Sequence, residues 1–91
     1  MDRERIKARI REIAASPKNV RFDEIETLLD NHIGPLFPGY SHHGNPHHAF
    51  TVGGQTFNIA KPHGGGLVKK IYIEKFLDSM EMIGLYDTES N

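Results

Sequence analysis

The stretch from His47 to Ala60 leaves the chain little choice of fold. His47 to Val52 and Gln55 to Ala60 flank Gly53-Gly54. Two short runs of strand-forming residues separated by two glycines mark a β-hairpin, because the mirror-image turns that suit a twisted pair need positive φ. With Gly53-Gly54 as the turn, Val52 faces Gln55, Phe50 faces Phe57 and His48 faces Ile59. One face then carries His48, Phe50, Val52, Gln55, Phe57 and Ile59, and reads as the core side. The other carries His47, Ala49, Thr51, Thr56, Asn58 and Ala60, and suits solvent or a ligand. A slip of one residue would exchange the two faces.

Helical patterns surround this hairpin. Ile6, Ile10, Ile13 and Ala14 recur at helical spacing and predict a helix over 2–15, which Ser16-Pro17 ends. Phe22, Ile25, Leu28, Leu29 and Ile33 predict a second helix over 22–32, stopped by Gly34-Pro35. Leu36 to Ser41 reads as a short strand, confined to a sheet edge by Pro38. Pro62 to Gly66 reads as a loop. A final helix is expected from about Lys69 to Met82, with Gly84 as its stop. The order is α-α-β-β-β-α, an α+β fold with a three-stranded antiparallel sheet packed against helices. Ninety-one residues allow one domain: helix 2–15, a core over 16–84 and a frayed tail over 85–91.

Cysteine is absent, which excludes disulfide scaffolds and thiolate metal sites and points to a reducing, cytoplasmic setting. No apolar run approaches the roughly 20 residues of a membrane span. The net charge of −1 hides an uneven distribution. Between Asp30 and Glu74 there is no acid, yet that window holds Lys61, Lys69, Lys70 and all six histidines. A carboxylate-free, imidazole-rich centre fits a polyanion, since a carboxylate facing a phosphate would repel it. Strands and turns using fewer acids than helices would produce the same pattern.

Within that window His47 falls on the outward face of the hairpin. An unperturbed imidazole changes charge near neutral pH and can act as general base or acid; an ordinary surface histidine is the alternative. His48 points to the core, where a structural role is expected. His63 lies between Pro62 and three glycines, whose N–H groups can approach an anion closely. Lys69 and Lys70 open the last helix, a favourable place for phosphate. His42-His43 falls in an expected turn and reads as polar filler. Six histidines raise the question of zinc. Ligands need orienting partners, often carboxylates, and the window supplies none, so no metal site and no cofactor are expected.

Assembled in order, these residues resemble a known family. Ser16-Pro17-Lys18-Asn19-Val20-Arg21-Phe22-Asp23-Glu24-Ile25, then Leu28-Leu29, is similar to the opening of HicA toxins of type II toxin–antitoxin systems. That family's strand with a Ser-His-x-x-aromatic pattern is matched by His47-His48-Ala49-Phe50. Phe57 to Ala60, Pro62-His63-Gly64 and Lys69-Lys70-Ile71-Tyr72-Ile73 match the strand, Pro-His element and final helix that follow. The resemblance spans roughly residues 14–83. Asn45-Pro46 stands where the family often has Gly-Ser. Gly39-Tyr40-Ser41-His42 is a rival match, but Pro46 sits where its following strand should continue, so His47 is preferred.

The resemblance implies a fold like the double-stranded-RNA-binding domain. It also implies an mRNA-cleaving endoribonuclease that inhibits translation and is held by a HicB-type antitoxin. The family's essential histidine falls on His47. Lys61, His63, Gly64, Lys69, Lys70 and Tyr72 are then the RNA- and phosphate-binding candidates. With no carboxylate cluster for a two-metal mechanism, cleavage is expected to be metal-independent. A non-catalytic RNA-binding module of the same fold and a protein-interaction domain are the alternatives. A homo-oligomer is left open.

Overall fold

The computed structural model of the chain describes residues 1–88. It is an α+β fold of three helices and one open, three-stranded antiparallel sheet. Helix α1 runs Arg3–Ala15, capped by the Asp2 carboxylate, which accepts the Arg5 N–H over 2.9 Å. Helix α2 runs Phe22–Thr27, and the Glu24 carboxylate accepts the Arg21 N–H at its start over 3.0 Å. The spiral then continues as a wide turn over Leu28–Ile33, in which the Gly34 N–H reaches back to the Leu29 carbonyl.

Gly34-Pro35 does not stop the spiral as expected. It forms one more tight turn, Gly34–Leu36, since a proline at the start of a turn needs no N–H partner. Nor is Leu36 to Ser41 a strand. Pro38-Gly39 turns the chain, and the edge strand β1 is Ser41–His43. His42 and His43 are therefore strand residues and not turn filler.

Strands β2, His47–Val52, and β3, Gln55–Ala60, form the hairpin in the register that the two glycines dictate. Gly53 and Gly54 both have positive φ. His48, Phe50, Val52, Phe57 and Ile59 are buried on one face. On the other, the Thr51 and Thr56 hydroxyls hydrogen-bond across the strands over 3.0 Å. β1 lies on the far side of β2, with His42 opposite Phe50.

The buried face packs on the apolar stripes of the helices: Ile6, Ile10 and Ile13 of α1, Phe22 and Ile25 of α2, and Ile73, Phe76 and Met80 of α3, Lys70–Met82. Phe57 stacks on Phe50 at 5.6 Å and meets Phe76 edge-on at 5.9 Å, contacts each worth about 0.5–1.5 kcal/mol beyond their burial. α3 ends as Gly84 predicts. With φ of +83° at Gly84, the Leu85 N–H bonds the Met80 carbonyl over 2.8 Å, an interlocked glycine-based helix stop.

The tail differs from expectation. Leu85 belongs to the core at 1% exposure, and the Thr88 hydroxyl donates to Glu81. The rest of the expected frayed segment, 89–91, lies outside the described residues. Among the described residues no helix is long and apolar enough to cross a membrane.

Candidate functional site

Where β2 and β3 separate, the chain builds a cleft. The hairpin ladder runs one rung past the His47–Ala60 pair, because the Lys61 N–H donates to the Pro46 carbonyl over 2.9 Å. That rung holds the two strand exits, and so His47 and Lys61, at one end of the sheet. A second tie brings in the start of α3. The Val68 N–H donates to the Val20 carbonyl over 2.8 Å, and Leu67 bridges to Arg21. The segment between Pro62 and Lys69 is thereby fixed at both ends.

The resulting cavity has a volume of about 360 Å³. It is lined by His47, Lys61, His63, Lys69 and Tyr72, together with Pro46, Ala60, Pro62 and Leu67. Two histidines, two lysines and a tyrosine line it with no carboxylate among them, while the Lys61 ammonium itself lies 5.7 Å from the centre of the Phe22 ring. In the low dielectric of a cleft such a set attracts an anion more strongly than scattered surface charges would. No side chain caps the start of α3, whose N-terminal end carries partial positive charge.

Five of the seven residues expected at the site thus share one cleft. Gly64 and Lys70 do not line it. Lys70 instead pairs with Glu74 one turn along α3 over 3.8 Å. Gly64 takes positive φ in the short turn His63–Gly65. That positive φ lets the loop fold back.

On the opposite side of the sheet lies a group that the sequence reading missed. Asp30, from the wide turn after α2, accepts the Tyr40 hydroxyl proton over 2.6 Å and faces His42 Nδ1 at 3.0 Å. His42 Nε2 in turn faces His48 Nδ1 at 2.7 Å. The His42 ring stacks on Phe50 at 4.2 Å, and Phe22 lies 4.6 Å from the His48 ring. Burial, and then the nearby His42, hold the His48 imidazole below its ordinary titration range. Burial and Asp30 push the Tyr40 phenol upward, so it stays a donor.

The acid-free window is therefore not free of acid in space. Glu26 and Asp30 stand four residues apart, a spacing that puts both on one side of a helical spiral, and they turn towards the histidines of β1 and β2. That spacing was the available signal, together with His42 and His48 on the same face of neighbouring strands. The ground for expecting no orienting carboxylate is corrected: Asp30 supplies one.

Comparison with family models, curated proteins and solved structures finds no match for this chain.

Proposed function

We propose that the chain is an endoribonuclease that binds single-stranded mRNA in the cleft and cleaves it with His47. What carries this reading is the lining itself: His47 and His63 beside Lys61 and Lys69, with no carboxylate among them. In the reaction His47 takes the proton of a ribose 2′-hydroxyl. The 2′-oxygen attacks phosphorus, the P–O5′ bond breaks, and His63 gives its proton to the leaving 5′-oxygen. The products are a 2′,3′-cyclic phosphate and a 5′-hydroxyl end. Lys61 and Lys69 offset the charge that grows on the phosphoryl oxygens. Tyr72 offers a ring for a base to stack on.

The resemblance of residues 14–83 to HicA toxins supports the same reading. It gives the activity a setting: inhibition of translation in the cytoplasm, with a HicB-type antitoxin covering the cleft. The helix-backed, three-stranded sheet agrees with a layout like the double-stranded-RNA-binding domain.

One observation favours a second reading, an RNA-binding module without cleavage. No described side chain holds the His47 ring by a hydrogen bond, whereas a general base is commonly oriented by a third group. The test is to produce the wild type and His47→Ala in a bacterial host and to incubate each purified protein with mRNA. The nuclease reading expects growth arrest and cleavage by the wild type alone. RNA retention without cleavage by both proteins overturns it in favour of the binding module.

A further inference from the structure

We propose that Glu26, His42 and His48 form a binding site for a divalent transition-metal ion of the zinc type. One carboxylate oxygen of Glu26 and one ring nitrogen from each histidine all lie within 4.8 Å of one another. Ligand atoms around a tetrahedral zinc, with bonds of about 2.0–2.1 Å, stand roughly 3.4 Å apart, so small side-chain adjustments close the set.

The hydrogen bonds around the site favour a cation. Asp30 is a bare acceptor, so His42 Nδ1 carries the proton that faces it. His42 Nε2 is then a lone pair, held in place by a carboxylate behind the ring, the arrangement that orients metal-binding histidines. One proton then lies between His42 Nε2 and His48 Nδ1, which are 2.7 Å apart. His48 is 92% buried, being 8% exposed, and its Nε2 has no hydrogen-bond partner among the described residues. The network of protein groups thus ends at a buried ring nitrogen without a partner among the described residues. An ion between His42 Nε2 and His48 Nδ1 would take the place of the proton they share.

Charge and access agree. Glu26 and Asp30 supply two negative charges towards an ion of charge +2, with Lys61 and Arg21 opposing it from the cavity beside Glu26. Two imidazoles and one carboxylate make a three-ligand set of the kind that leaves one position open for water. Glu26 also lines a surface cavity of about 220 Å³ with Arg21, Phe22 and Lys61, which connects the carboxylate to solvent. The ligands come from α2, β1 and β2, so a bound ion ties the helical layer to the sheet. The site lies on the buried side of the sheet and takes none of its ligands from the RNA cleft, although Lys61 borders both cavities.

The test is calorimetric titration of the chelator-stripped full chain with Zn²⁺, with the imidazole resonances followed by NMR. One saturable equivalent is expected, perturbing the His42 and His48 rings. Glu26→Gln, at a half-exposed position that keeps the fold, should weaken binding at least tenfold. Asp30→Asn, which frees the His42 tautomer, should weaken it about 10–100-fold. Replacing the exposed His43, His47 and His63 by Gln should change it less than about twofold. Loss of binding in that triple variant, or an unchanged affinity in Glu26→Gln, overturns the proposal. So does the absence of a saturable equivalent in the wild type.

Discussion

The Lys61 N–H and the Pro46 carbonyl meet over 2.9 Å, one rung beyond the last strand pair. This bond aligns the exits of β2 and β3, so a histidine from one strand and a lysine from the end of the other line the same cavity. If RNA phosphates occupy that cavity, Lys61→Gln and Lys69→Gln should each weaken RNA retention. Each should also lower the slope of log affinity against log salt by about 0.7, the value for one lost phosphate contact on a single strand. Lys70→Gln, which does not line the cleft and pairs with Glu74, should leave the slope unchanged. Filter binding at several salt concentrations measures all three.

The roles given to the two cleft histidines separate by leaving group. His47→Ala and His63→Ala should each slow cleavage by about 10²–10⁴-fold, the usual worth of a general acid or base. A substrate with sulfur in place of the bridging 5′-oxygen needs no proton to leave. With it, His63→Ala should recover most of the lost rate and His47→Ala none. Recovery in both variants, or in neither, would remove His63 from the role of acid.

Acid should destabilise the fold through His48. Its imidazole is held below the ordinary range by burial and then by His42. The unfolded chain therefore binds a proton that the folded chain refuses. The associated stability is whole above the unfolded value of about 6.5 and is lost as pH falls towards the lower folded value. The urea midpoint should therefore fall from pH 7 to pH 5, because stability rises with pH wherever the unfolded state holds more protons. In His48→Phe, which keeps ring packing against Phe22 and Phe50, this part of the fall should vanish.

Gly44 and Gly54 offer a controlled comparison. Both have positive φ, +95° and +82°. A Cβ at Gly44 would collide with the His47 carbonyl oxygen, whereas one at Gly54 would meet nothing within 4 Å. Gly54→Ala should cost only the left-handed backbone penalty, about 1–2 kcal/mol. Gly44→Ala should cost more, since the chain entering β2 must move as well. Equal shifts in urea midpoint would show that this turn yields freely.

The hairpin was legible because its signal is local. Two glycines fix the turn, the turn fixes the register, and the register assigns the face of every residue from His47 to Ala60. The cleft was partly legible for the same reason, since His47 and Lys61 follow from that register. His63, Lys69 and Tyr72 join them through the tie of Leu67 and Val68 to the α1–α2 connection, a contact between distant segments that no local pattern announces. The same limit hid Asp30. Along the chain it borders a window without acids; in space the wide turn over Leu28–Ile33 delivers it to His42. Leu85 was assigned to the tail because a glycine stop reads as an ending, yet the motif folds the next residue back onto the core.

Strand alternation sends the side chains of His47 and His48 to opposite sides of the sheet. A single peptide unit thereby partitions a wet imidazole from a dry one. Substituting either residue should read out a different property of the molecule, although they are neighbours in the gene. Inserting or deleting one residue between His48 and Gly53 would exchange them. The outer cleft would then receive the ring evolved for enclosure, and the inner box the one kept in water.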